Sequence, residues 1–281
     1  MVLVSLLSCR EAADTPEQEY NPPPPEHVLL LPDRPPDALT GSALVPVLSP
    51  LNLRQREARI LNEILSGNVP DFLCRLVPVT LNGSLNGASV AVTFYVTCDY
   101  LALGSDEDYF LIPMTPILAQ ELADSLRMSL PTRKMVDAVW QQAELKLAPS
   151  PIPPSAAMVT IPVFADHNEI VHAQRVQEIS DAPLGTLVAG HKKDVILSNR
   201  IFSHQDKVVI YGWHQLNGQP IQPLYSGHVN WYADYSHGIR MVEQGILVNN
   251  AKKNIRDILS DSTLYPLLSD EDGPMLMTRY L

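Results

Sequence analysis

The chain is short of cysteine, of aromatic side chains and of positive charge, and each shortage narrows what it can be. Its three cysteines in 281 residues, Cys9, Cys74 and Cys98, show no CxxC and no metal-ligand spacing, which argues against a cysteine-based zinc or thioredoxin-type site. Twenty Lys and Arg stand against 31 Asp and Glu, a formal net charge of -11. A phosphate backbone rewards basic stripes, so duplex nucleic acid is not expected as a partner. No HExxH, complete GxSxG elbow or internal repeat is present, and past the N-terminus no run approaches the roughly twenty apolar residues of a membrane span. Proline is abundant instead, with 25 copies. A chain of this length is long enough to bury a core.

The opening MVLVSLLSC resembles the lipobox at which bacterial signal peptidases cut and a lipid is attached to the cysteine. It lacks the basic stretch and full apolar core of a signal peptide. Residues 1–9 are read as a lipoprotein signal remnant and 10–50 as a Pro-rich linker with four consecutive prolines at 22–25, a semi-rigid spacer. The resemblance implies an exported protein, periplasmic or extracellular, touching the membrane only through a lipidated Cys9. Cys74 and Cys98 then form an even pair for which a disulfide is allowed but not required.

The fold class is α+β, with a helical hairpin and a β-hairpin in the first half and mostly antiparallel sheet in the second. In residues 51–147, LRQREARILNEILSG repeats apolar residues at helical spacing, and LVPVTLNGSLNGASVAVTFYVT alternates around Asn-Gly pairs at 82–83 and 86–87. Thr115 with Pro116 and then Thr132 cap two successive helices. A second proline cluster at 148–155 is either a boundary or a loop crossing one domain. Residues 156–281 read as mostly strand, from MVTIPVF to GILVNN, with a closing helix near 251–260.

Chemistry concentrates between Leu187 and Arg240, which hold five of the eight histidines and five Lys or Arg against three Asp. The local balance is +2 inside an acidic chain, as suits a cleft that attracts an anion. Three strands end in Gly-His or Gly-x-His, which would bring His191, His214, His228 and Asp234 to a common edge or cleft. If 232–242 is extended, Asp234, Ser236, Gly238 and Arg240 share one face, and Tyr235, His237, Ile239 and Met241 the other. The candidate acid/base groups are His214, His228, Asp234 and His237, with Asp234 as the orienting carboxylate. The candidate substrate-binding groups are His191, Lys192, Lys193, Tyr211, Trp213, Gln222, Tyr232, Tyr235 and Arg240, combining cations with aromatic faces suited to sugar rings.

No metal ligand is assigned and no cofactor is expected. A zinc site would draw on His228, Asp234 and one of His214 or His237, but the spacing is unlike known motifs and nearby cations disfavour a divalent ion. Ser236 in DYSHG falls short of a nucleophile elbow, and Cys98 has no local signature of a thiol nucleophile. The resulting expectation is a hydrolase (or lyase) acting on an anionic glycan or peptidoglycan by His/Asp acid–base chemistry with Arg/Lys clamping. Its rivals are a non-catalytic binding module for the same ligands, a zinc-dependent hydrolase, and a structural lipoprotein whose polar groups pair only with each other.

Overall fold

The computed structural model describes residues 27–281; Cys9 and the Pro-rich run at 22–25 lie outside them. The first helices are α1 (Gly41–Leu48), α2 (Leu53–Leu65) and α3 (Asp71–Cys74). α2 starts at a capping box in which the Asn52 side chain accepts from Gln55 N while the Gln55 side chain accepts from Asn52 N. Residues 27–50, expected as linker, are packed from the start. Leu29 N donates to the Cys74 carbonyl at 2.8 Å, and Leu29, Leu44 and Leu48 are buried. Burying a leucine contributes roughly 1.5–3 kcal/mol, which holds this segment on the core.

The hairpin β1 (Leu76–Leu85) and β2 (Ala88–Thr97) pairs from Leu76 with Thr97 to Leu85 with Ala88. Its two-residue turn is Asn86-Gly87, both at positive φ, as a type I′ turn requires; Asn82-Gly83 lies within β1. Next come β3 (Ala102–Gly104), β4 (Tyr109–Leu111), α4 (Pro116–Ser125), β5 (Met128–Ser129), α5 (Arg133–Gln142) and β6 (Leu145–Lys146). Thr115 and Thr132 cap α4 and α5 as expected. The two helices do not pack mainly on each other: α4 lies on α2 and β5, and α5 on β1 and the later strand Ile210–His214.

After the irregular 148–155 segment the expected strand MVTIPVF is instead a 3-10 turn and the longest helix, α6 (Ile161–Gln177). The rest comprises β7 (Val188–Ala189), β8 (Lys193–Val195), α7 (Arg200–Ser203), β9 (Ile210–His214), β10 (Pro220–Tyr225), β11 (His237–Gly238), β12 (Val242–Glu243), β13 (Gly245–Val248), β14 (Ala251–Asn254) and α8 (Ile255–Ser260). The closing helix is thus shorter than expected, because 251–254 pair with β13.

The larger sheet runs β14-β13-β2-β12-β5, with β1 added on β2, and the smaller one β10-β9-β8-β11. All the larger sheet's pairings are antiparallel, whereas β11 on β8 and β6 on β7 are parallel. The class is α+β. Strands from both halves build the larger sheet, and a single hydrophobic cluster extends from Leu29 to Tyr280. The proline segment at 148–155 therefore crosses one core. Cys74 and Cys98 are both free thiols, so the allowed disulfide is not formed.

Candidate functional site

Most of the ionisable residues of the 187–240 window lie inside the protein, on the smaller sheet or in the segments beside it. Lys192, Lys193, Asp194, Asp234, His237 and Arg240 are all buried, a rare fate for such groups unless they are paired. Three of the window's five positive charges are thus internal, and they do not line an open cationic cleft.

Asp234 is the most heavily bonded of them. Its Oδ2 accepts from Lys193 Nζ at 2.9 Å and from the Tyr232 hydroxyl at 3.2 Å, while Oδ1 accepts from Ser236 N at 2.9 Å and Ser236 Oγ at 2.6 Å. Burial works to raise this carboxyl, but His237, the Lys193 ammonium and the Ser236 hydroxyl more than offset it and keep it ionised. Asp234 N donates to His237 Nδ1 at 2.9 Å and His237 N to the Asp234 carbonyl at 3.0 Å. Residues 234–237 are therefore a turn, and the expected strand over 232–242 with its two faces is not formed. Short polar side chains that satisfy nearby backbone donors compete with a sheet ladder in this way. His237 Nδ1 also faces Asp234 Oδ1 at 3.2 Å, its Nε2 is buried without a partner among the described residues, and burial holds the imidazole below its ordinary value. Ser236 Oγ is bonded to a carboxylate that also pairs with Lys193, which places it in a structural turn.

Arg240, expected as a substrate clamp, holds backbone instead. Its guanidinium donates to the carbonyls of Thr97 at 2.7 Å and Val188 at 2.6 Å and lies 4.6 Å from the Tyr100 ring centroid, tying β2 to β7. The Tyr100 hydroxyl donates to Asp194 Oδ2 at 2.9 Å. Burial raises the Asp194 carboxyl to about 6. His191 Nε2 lies 3.0 Å from Asp99 Oδ1. Gly190 at φ +105 precedes it, where a Cβ would stand 2.4 Å from the Leu147 carbonyl oxygen. The glycine at this strand entry thus serves a backbone crossing.

Lys192 Nζ donates to the Tyr235 carbonyl at 2.5 Å and lies 3.3 Å from His167 Nδ1 on α6. Burial lowers this lysine to about 7 and His167 to about 2. The Tyr235 hydroxyl accepts from Ile152 N at 2.9 Å, which pins the proline segment over the cluster. Trp213, whose ring lies 6.0 Å from that of Tyr235, has φ +55, a strained setting for a bulky residue.

His214 has a carboxylate of its own. Its Nε2 lies 3.0 Å from Asp137 Oδ1 on α5, which also accepts from the Tyr211 hydroxyl at 2.9 Å. His228 is half-buried, stacked on Tyr232 at 4.1 Å between centroids with Tyr225 edge-on at 5.2 Å. Burial, then the Lys193 charge, lowers its pKa. Gln222 on β10 donates to the carbonyl of Pro223, away from the cluster's carboxylates. The histidines thus divide among Asp99, Asp137 and Asp234 and do not share one orienting group. Among the described residues no three of His, Cys, Asp and Glu are placed to hold a metal ion, so the zinc donor set is not assembled.

Sequence reasoning missed Asp99, Tyr100, Asp137 and His167. Asp99 was signalled by an acid breaking an apolar run in TCDYLALG, and Asp137 by its place beside the buried stripe of α5. The open surface lies next to the buried cluster, on the 225–232 loop. Tyr225 and Trp231 are exposed there. A cavity of about 450 Å³ is lined by Asn199, Arg200, Ser203, His204, Ser226 and Glu271. No protein-family model, no curated protein and no solved structure matches this chain.

Proposed function

We propose that the protein is an exported module that binds an anionic glycan of the cell envelope, and that the 225–232 loop with the Arg200 cavity is its binding surface. The observation that carries this reading is the half-exposed stack of His228 on Tyr232, flanked by the exposed Tyr225. Flat, amphipathic rings of this kind suit sugar faces. Beside it Arg200 and His204 offer donors to a carboxylate, in a cavity within the range of about 300–1,000 Å³ typical of small-ligand sites. The Glu271 carboxylate in the same wall accepts from Ser198 Oγ at 2.6 Å, which spends part of its charge on the protein. Binding is favoured over hydrolysis because the expected acid/base groups His214, Asp234 and His237 are buried and bonded to neighbours. Tethering through Cys9 belongs to the same reading, and Cys9→Ser should release the native precursor from the membrane fraction.

The test is titration with polygalacturonate, with dextran as the neutral control. Saturable binding to the first alone is expected, and Arg200→Ala should weaken it by about 1.5–3 kcal/mol, as for a lost charge-assisted hydrogen bond. Equal binding of both polymers, or an unchanged Arg200→Ala variant, would sink the reading. One observation favours the hydrolase instead: Lys192 and Asp194, with pKa values moved to about 7 and about 6, lie in one buried cluster with the strained Trp213, a combination common at active sites. Release of reducing ends by the wild type, lost roughly 100-fold or more in His237→Ala, would replace the binding module with that enzyme.

A further inference from the structure

We infer that the cavity between α2 and α4, lined by Trp231, is a second sugar subsite that takes an uncharged N-acetylated hexosamine. It rests on the glycan reading only for the choice of polymer. The cavity measures about 450 Å³, again within the range of small-ligand sites. Leu53, Ala58, Leu61 and Leu118 give it an apolar floor, which suits the methyl of an acetamido group and the C–H face of a pyranose. Trp231 stands at its edge 60% exposed, a flat ring free to stack on a sugar.

The polar groups select the ligand's charge. Glu57 and Glu121 line the cavity with Arg54 as the counter-charge, so the walls carry more negative than positive charge and repel a carboxylate. Glu57 is held in place, its two oxygens accepting from Thr115 N at 2.8 Å and Thr115 Oγ1 at 3.0 Å. The Asn230 amide nitrogen donates to the Gln205 carbonyl at 3.2 Å, and its Oδ1 is left as an acceptor. The Glu121 carboxylate and the Asn230 amide oxygen offer acceptors to a neutral ligand rich in O–H and amide N–H.

The same loop separates this cavity from the anion-suited one. Ser226 lines the Arg200 cavity and Asn230 the Trp231 cavity, and four residues of chain span at most about 14 Å. One polymer can therefore reach both if a carboxylate-bearing residue stands beside an N-acetylhexosamine.

The experiment uses the full chain, N,N′,N″-triacetylchitotriose as probe and tryptophan fluorescence as readout. Of the three tryptophans, Trp213 is buried and Trp140 partly buried, whereas Trp231 is open to solvent. Saturable binding should shift the emission to the blue, and Trp231→Phe should remove most of the shift. Followed by titration calorimetry, Trp231→Ala and Glu121→Ala, both at exposed positions, should weaken binding roughly tenfold or more for loss of the aromatic anchor and less for loss of the carboxylate. Cellotriose, which lacks the acetamido groups, should bind distinctly more weakly. No saturable response to triacetylchitotriose, equal affinity for cellotriose, or an unchanged Trp231→Ala variant overturns the inference. Arg200→Ala should leave triacetylchitotriose binding intact, so failure of the wild type to bind polygalacturonate condemns the anionic-glycan reading and not this subsite.

Discussion

Lys193 and Asp234 form a salt bridge of 2.9 Å with side chains only 6% and 3% exposed, and it joins β8 to the 234–237 turn. Removing one partner strands the other charge in the interior, so Asp234→Ala should cost about 3–5 kcal/mol. Replacing both with apolar residues, as in Lys193→Met with Asp234→Leu, should recover a large part of that loss. Urea unfolding of the two single variants and the double one measures the coupling, and a double variant as weak as the sum of the singles would show that the charges do not support each other.

Lys192 predicts how stability changes with pH. Its pKa is lowered by burial to about 7 from an ordinary 10.5, so between those values the unfolded chain holds a proton that the folded one has lost. Stability therefore rises with pH across that window, and the destabilising contribution of the charged lysine is fully present below it. Lys192→Met should lose this rise while keeping the contributions of other groups. Thermal midpoints of the two proteins from pH 7 to 10 provide the check; parallel curves would mean that Lys192 stays charged in the fold.

The two described thiols should be inert in the native state. Burial pushes Cys98 up to about 12 and Cys74 up to about 11, and the thiolate is the reactive form. In a Cys9→Ser background, a disulfide-exchange reagent at pH 8 should react slowly with the folded protein and promptly with two thiols in denaturant. Fewer than two thiols after unfolding without reductant would indicate a disulfide.

Gly190→Ala should be severely destabilising. The position combines φ +105 with a Cβ that would sit 2.4 Å from the Leu147 carbonyl oxygen, and left-handed backbone at a non-glycine residue alone costs about 1–3 kcal/mol. Gly83→Ala, where a Cβ meets nothing within 4 Å and no positive φ occurs, is the matched control and should unfold at nearly the wild-type denaturant concentration.

Local signals were legible where neighbouring residues complete them. Thr115, Pro116 and Thr132 announce their helices, and Asn86-Gly87 its turn, because caps and tight turns are closed by atoms a few residues away. The helix α6 was hidden. Its buried positions include Ile161, Phe164, His167, Asn168, Val171 and Arg175, which have helical spacing, but half of them are polar and the apolar period disappears. The strand expected over 232–242 failed for the reverse reason: its residues alternate well, but the Asp234 and Ser236 side chains bond locally and close a turn.

The sequence by itself determined the α+β class, the caps of α4 and α5 and the first hairpin, and it located the crowding of ionisable groups between Leu187 and Arg240. Only the tertiary structure decided what those groups face. Asp137 is 77 residues from His214, and Tyr100 is 94 from Asp194. Such partners are chosen by how α5 and the end of β2 pack against the smaller sheet. Burial is a property of that packing, and it turned the expected clamp Arg240 into a tie between backbone carbonyls while leaving Tyr225, His228 and Trp231 at the surface.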